Sequence, residues 1–307
     1  MATLDPGLGE KFSGRTQRAI QPDGSFNVRR RGGPHRHDPY QWLIRMSWWR
    51  FIGLVVVFFV VLNALFALGY LALGLENLPG VPAPHTPTHD FLSALFFSIQ
   101  TFTSVGYGHV YPGSNATGAL SSLEALVGVL TFALATGLLY GRFSRPSARL
   151  LFSGRAIISR RPDTGLPCLQ FRLANQRRNT LIDVSARVLL RSLDAATGNY
   201  RYNFLPLERD NVSLLPLSWT LVHDITPDSP LHGLAAADYQ MQDFEFLVMV
   251  KAYDDTFAQD VHARFSYIHS EIDWNRRFVP AYHVAPDGVA VLDLDKLDDT
   301  EMLNFDG

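Results

Sequence analysis

Between Arg50 and Arg142 the chain carries no lysine and no arginine, and its only acidic residues there are Glu76, Asp90 and Glu124. So apolar a block belongs in a bilayer, which admits only segments whose backbone groups are satisfied internally. Phe51 to Leu75 is broken only by Asn63 and Tyr70 and has the length of one tilted membrane helix. Asn63 is expected to face a neighbouring helix, because an amide facing lipid is costly. Ala119 to Gly141 forms a second crossing. Between them, Asn77 to Pro87 holds four prolines and reads as an extracellular turret. The apolar run Asp90 to Thr101 falls short of the roughly 20 residues that a crossing needs, so it is expected to be a re-entrant helix with Asp90 as its N-cap. Arg45 and Arg50 precede the two crossings, and Arg142, Arg145 and Arg149 follow them. By the positive-inside bias both termini are cytoplasmic.

Directly after the re-entrant segment comes Thr103-Ser104-Val105-Gly106-Tyr107-Gly108. Glycines at alternate positions allow left-handed backbone that turns successive carbonyl oxygens towards one axis. Alone, the stretch could be a glycine-rich turn leading into a strand. Behind a re-entrant helix it reads as a potassium selectivity filter, like the ring of four Thr-Val-Gly-Tyr-Gly loops whose carbonyls replace the ion's hydration shell. Potassium would sit at Ser104, Val105, Gly106 and Tyr107, with the Ser104 hydroxyl at the inner end. Tyr111-Pro112-Gly113 forms the exit turn.

The flanks differ from this block. Residues 1–37 are polar and rich in Gly, Arg and Pro, with no apolar run of the kind a cleavable signal peptide has, and are expected to be a mobile cytoplasmic tail. Arg29-Arg30-Arg31 and His35-Arg36-His37 read as a cytoplasmic flank; a net charge of -2 favours no nucleic-acid partner. Asp38 to Arg50, with Trp42, Trp48, Trp49 and two arginines, suits an interfacial slide helix, and residues 38–147 complete a pore module. Residues 148–295 change to short alternating runs between turn signals, among them Cys168–Leu173, Tyr200–Phe204, Glu245–Val250 and Ala263–Tyr267. That spacing predicts an all-β, immunoglobulin-like sandwich. The single cysteine, Cys168, is expected to be a small core residue. Residues 296–307 read as a solvated acidic tail.

Several segments together resemble prokaryotic inward-rectifier potassium channels, over about Asp38 to Asp293. They are the slide-helix-like Asp38–Trp49, the filter, the inner-helix exit Tyr140-Gly141-Arg142-Phe143-Ser144-Arg145-Pro146, Leu217–His223 with Ser229-Pro230-Leu231, and Phe257–Arg264 with Glu271-Ile272. The resemblance implies a homotetramer in the inner membrane of a prokaryote, a cytoplasmic β-domain that extends the pore, K+ as permeant ion with no cofactor, and regulation by anionic lipid. The chain departs from the family in three places: Ser104 where Thr is usual, His109 where many potassium channels have Asp, and Gln100 where many relatives have Glu.

Gly128, Phe132, Thr136 and Tyr140 recur every four residues along one stripe of the inner helix. Tyr140 is the expected gate, closing by dewetting, and Gly128 a bend point. By resemblance Phe132 takes the position that controls polyamine block; lacking a carboxylate it should hold polyamines or Mg2+ only weakly. Glu124 lies off the stripe and is expected to brace the pore helix. Arg142, Arg145 and Arg149 would bind anionic lipid such as a phosphoinositide. Asp255, by resemblance, would line the cytoplasmic pore, and four copies of His109 would give the outer mouth a response to external pH. The competing reading is a membrane-anchored enzyme or ligand-binding β-domain using Asp254, Asp255, His223 and His262. No catalytic motif or paired-cysteine motif organises those residues.

Overall fold

The computed structural model describes residues 18–29, 31–32, 38–144 and 148–303. Described residues fall into two compact units, those within Gly33–Arg145 and those within Met1–Gly32 together with Pro146–Gly307.

The first unit is helical. Asp38 caps α1 (Pro39–Arg45) by accepting from the Gln41 amide at 3.1 Å, and Pro39 supplies the fixed φ that suits a first turn. Met46 and Ser47 are extended, and α2 (Trp48–Leu73) starts from them. Trp48, Trp49 and Arg50 therefore open the first crossing instead of ending the slide helix as expected. Gly74, at φ 91°, ends α2. In α3 (Pro87–Phe102) the cap is Thr86, whose hydroxyl accepts from the His89 amide at 3.3 Å. The expected cap, Asp90, lies inside the first turn, where its carboxylate meets His85 at 3.1 Å. Thr86-Pro87 outcompetes it, because a hydroxyl cap followed by proline starts the helix earlier. α4 (Asn115–Phe143) begins four residues before the expected Ala119, at a Ser114/Thr117 capping box. α2 and α4 are each long and apolar enough to span a membrane.

The second unit is a β-sandwich. Its strands in order are β1 (Leu150–Phe152), β2 (Ala156–Arg160), β3 (Pro167–Asn175), β4 (Leu181–Leu193), β5 (Tyr200–Leu205), β6 (Asn211–Leu214) and β7 (Ser218–Asp224). After a short helix, α5 (Ala236–Met241), come β8 (Glu245–Asp254), β9 (Gln259–Ile268), β10 (Ile272–Trp274), β11 (Arg276–Phe278), β12 (Tyr282–Val284), β13 (Ala290–Leu292) and β14 (Thr300–Met302). One sheet runs β10-β2-β3-β7 with β1 also on β3; the other runs β5-β4-β8-β9 with β6 also on β4. Pairing is antiparallel except between β2 and β10. Inward-facing residues of both sheets share one core, in which the Phe171 ring of β3 lies 6.0 Å from Phe246 of β8 and 5.0 Å from Tyr267 of β9. Cys168 is buried in its strand, as expected for a core residue.

Two expectations fail at the ends of the chain. Residues 18–28, read as part of a mobile tail, pack on the sandwich. Ile20, only 1% exposed, completes a cluster with Leu189, Tyr200, Tyr202 and Leu247 on the outer face of the second sheet. Arg18 makes a paired ion bridge to Glu271 at 2.9 Å. The amides of Ala19 and Ile20 donate to the Glu245 carboxylate, which also holds the buried Arg191 at 2.5 Å. One apolar side chain and a ready-made carboxylate order this stretch, and neither has a period to be read. The expected acidic tail likewise folds as far as it is described. β14 pairs with β11, Leu297 is 2% exposed, and Asp298 accepts from the Gly154 amide at 2.7 Å. The preceding β11 region is tied to the sandwich by Arg172. This side chain donates to the Val279 carbonyl at 2.6 Å and stacks on Phe278, and burial pushes its pKa down to about 10.

Candidate ion pathway

The C-terminal turn of α3 shapes the stretch expected to form the filter. Thr103 caps the helix and its hydroxyl donates back to the Ile99 carbonyl at 2.7 Å. From there the left-handed residues alternate: Ser104 at φ 58°, Gly106 at 52° and Gly108 at 75°. Alternation of this kind turns consecutive peptide planes the same way. The amides point inward to one residue. Val105 and Gly106 donate to the Gln100 carbonyl at 2.9 and 3.1 Å, and Tyr107 donates to the Gln100 side-chain oxygen at 3.1 Å. Among the described residues, no group donates to the carbonyl oxygens of Thr103–Gly108. A row of backbone acceptors is thereby left for a ligand outside the chain. Tyr107 is 82% exposed in the single chain. Gln100, notable in the sequence only as a departure from relatives, is the group that organises this turn.

The chain leaving this stretch is held by residues 77–80. Tyr111 donates to the Pro79 carbonyl at 3.2 Å and Gly113 to the Asn77 carbonyl at 2.9 Å. Gly80, at φ 98°, lets the two strands of chain touch, since a Cβ there would lie 1.9 Å from the His109 carbonyl. The His109 residue itself is exposed.

Behind α3 lies a closed polar cluster. Glu124 of α4 is bonded to the Ser98 hydroxyl and accepts from the Tyr70 hydroxyl at 2.6 Å, and Ser98 also lies 3.0 Å from the Asn63 side-chain oxygen. All four are fully buried among α2, α3 and α4. Asn63 thus faces a neighbouring helix and Glu124 braces the pore helix, as their positions in the sequence suggested.

The inner-helix stripe divides. Phe132 and Tyr140 are 77% and 73% exposed, and Thr136 is exposed between them. Gly128 is different: it is buried, and a Cβ there would stand 2.0 Å from the Phe102 carbonyl. The expected bend point is thus a contact point. α4 runs unbroken through it, and the missing side chain admits the end of the pore helix.

Arg142 has partners within the first unit. Its guanidinium donates to the carbonyls of Leu43, Ile44 (3.1 Å) and Met46 (2.6 Å), and it stacks over Trp48 and Phe51 at 4.8 and 4.5 Å. It donates to the free carbonyls at the end of α1, as a cation near a helix C-terminus does. Arg145 lies outside the described residues, and Arg149 is exposed. Asp255 is exposed in the β8–β9 turn, whereas its neighbour Asp254 is buried, accepting from Asn179 and from the Thr256 and Phe257 amides. His223 is buried between the Pro206 carbonyl at 2.7 Å and the Ser229 hydroxyl at 2.8 Å, and burial lowers its pKa. These are structural partners, not an acid–base site.

Two membrane-length helices flank a shorter apolar helix and a turn of free carbonyls, and the family model described as "Ion channel" matches residues 55–145. The model of the inward rectifier potassium channel C-terminal domain matches residues 150–306. The chain is 40% identical over 297 residues to inward rectifier potassium channel Kirbac3.1 of Paramagnetospirillum magnetotacticum, covering 94% of this chain and 97% of that one. It is 30% identical over 240 residues to human inward rectifier potassium channel 4, covering 67% of this chain and 53%, about half, of that one. With human ATP-sensitive inward rectifier potassium channel 14 it shares 29% identity over 292 residues, 87% of this chain and 66% of the other. The chain belongs to the inward rectifier potassium channel family. That membership makes it a channel, not an anchored enzyme.

Proposed function

We propose that four copies of this chain surround one axis and conduct K+ passively through stacked rings of carbonyl oxygens from Thr103–Gly108. The reading is carried by the alternating left-handed turn, whose amides are consumed by Gln100 while its carbonyls stay free. A dehydrating ion needs such oxygens held in place before it arrives. Both termini lie on the cytoplasmic side, in keeping with the arginines that flank the two crossings. Tyr140 forms the inner gate, its ring being exposed on a single chain and free to meet three others. Phe132 faces the cavity and binds polyamines and Mg2+ shallowly, through ring faces in place of carboxylates. Asp255 concentrates cations at the cytoplasmic mouth, and His109 responds to protons at the outer one.

Anionic lipid regulates the channel. Arg142, Arg145 and Arg149 are the basic groups assigned to it, Arg142 also holding the carbonyls at the end of α1. The test is ion flux into liposomes containing the purified full chain, in K+ against Na+ gradients and with or without phosphoinositide. K+-selective flux that changes with phosphoinositide supports the reading. Equal K+ and Na+ flux overturns the filter assignment, and lipid-independent flux overturns the regulation.

A further inference from the structure

The hydrogens of the closed polar cluster behind α3 can be counted. Asn63 and Tyr70 of α2, Ser98 of α3 and Glu124 of α4 are all 0% exposed, so their polar atoms must satisfy one another. Asn63 fixes the direction. Its Nδ2 donates to the Phe59 carbonyl at 2.8 Å. A flipped amide would set two oxygens against each other there, so Oδ1 is the atom that faces the Ser98 hydroxyl at 3.0 Å. An amide oxygen only accepts, so the Ser98 proton goes to Asn63, whose backbone carbonyl also lies 3.1 Å from that hydroxyl.

The contact between Ser98 Oγ and Glu124 Oε1 is then left without a proton unless Glu124 supplies it. Glu124 Oε2 needs none. The Tyr70 hydroxyl donates to it at 2.6 Å and has no other hydrogen-bond partner among the described residues. Charge leads to the same answer independently. From Phe51 to Gly141 the chain holds no Lys or Arg, and none of the histidines in that interval bonds to the cluster. An ionised Glu124 would be a buried charge with no cation beside it.

We infer that Glu124 is a neutral carboxylic acid acting as a donor, which completes a one-way relay from Tyr70 through Glu124 and Ser98 to Asn63 and the Phe59 carbonyl. Every acceptor in the relay receives a proton, and α2, α3 and α4 are tied together without net charge. Ser98 lies on the same turn of α3 as Gln100, which holds the amides of Val105, Gly106 and Tyr107. Glu124 is thereby a positioning residue for the turn of free carbonyls, a step that rests on the filter reading proposed above.

The test is infrared difference spectroscopy of the full chain in liposomes at neutral pH, unmodified against Glu124→Gln. The unmodified chain should show the carbonyl stretch of a protonated carboxyl, well separated from the carboxylate bands, and the variant should lack it. Tyr70→Phe should move this band to higher frequency, because Oε2 loses its donor. An amide reproduces the donor and the acceptor of the acid, so Glu124→Gln should keep K+ flux within about twofold, whereas Glu124→Leu, which strands the Tyr70 hydroxyl, should lower it about tenfold. Unaltered thermal melting shows that Glu124→Gln is folded. Absence of the band from the unmodified chain overturns the proposal, and so does a band that ignores Tyr70→Phe. K+ flux lost in folded Glu124→Gln, or undiminished in Glu124→Leu, overturns it as well. Equal K+ and Na+ flux through the unmodified chain removes the filter reading and leaves the infrared result standing, so the two fail separately.

Discussion

Gly128→Ala tests how the pore helix is held. The added methyl would lie 2.0 Å from the Phe102 carbonyl and 3.2 Å from its Cα, where ordinary contact begins at 3.4 Å. Both obstacles are backbone, so no side chain can rotate out of the way. The end of α3 and α4 must part by about 1.4 Å. Overpacking of this kind typically costs about 1–3 kcal/mol. The displaced segment is the one that presents Gln100 to the amides of Val105, Gly106 and Tyr107. Alanine is the better helix former by about 1 kcal/mol, so propensity alone predicts a more stable protein. Two measurements separate these outcomes: thermal stability of the detergent-solubilised protein, and K+ flux into liposomes. We expect a lower melting temperature and K+ flux reduced by tenfold or more. A variant as stable as the parent with unchanged K+ flux would refute the close contact and restore Gly128 to the role of a bend.

Arg191→Met should destabilise the β-domain by about 3–5 kcal/mol, because it strands the buried Glu245 carboxylate; chemical denaturation reads the loss, and an unchanged midpoint would contradict it. His223 has a depressed pKa in the fold, so the unfolded chain binds its proton more readily. Its stabilising contribution is complete above the ordinary imidazole pKa of about 6.5 and is lost as pH falls towards the folded value. Melting at pH 5 should therefore lie below that at pH 7.5, and His223→Gln should narrow the gap; an equal gap in both proteins would acquit His223. Tyr140→Ala should raise basal flux in liposomes, and a channel equally closed would move the gate elsewhere. Spermine applied from the inside in planar bilayers should block weakly and with shallow voltage dependence, and strongly after Phe132→Asp; steep block of the unmodified channel would show that Phe132 is misplaced.

What the sequence determined by itself are the features set by composition and local chemistry. The absence of Lys and Arg from Arg50 to Arg142 marks the apolar block, the Gly spacing marks the alternating left-handed turn, and the alternating runs mark the sandwich. Asn63 and Glu124 were legible too, since a lone polar group in an apolar helix must find a protein partner. Helix starts were read less well where two caps competed, as at Thr86 against Asp90. The tertiary structure alone decided matters of distance between segments far apart in the chain. Gly128 looks the same in sequence whether it bends a helix or admits a carbonyl, and only the position of Phe102 distinguishes them. Arg142 reads as a surface cation until the end of α1 supplies three carbonyls. Ile20 reads as one apolar residue in a polar tail until Leu189, Tyr200 and Leu247 offer it a seat. One buried side chain and a few charge-assisted hydrogen bonds are enough to order a short segment, and they leave no periodicity behind. Local propensity repeats along the chain and can be read from it; a single long-range contact occurs once and cannot.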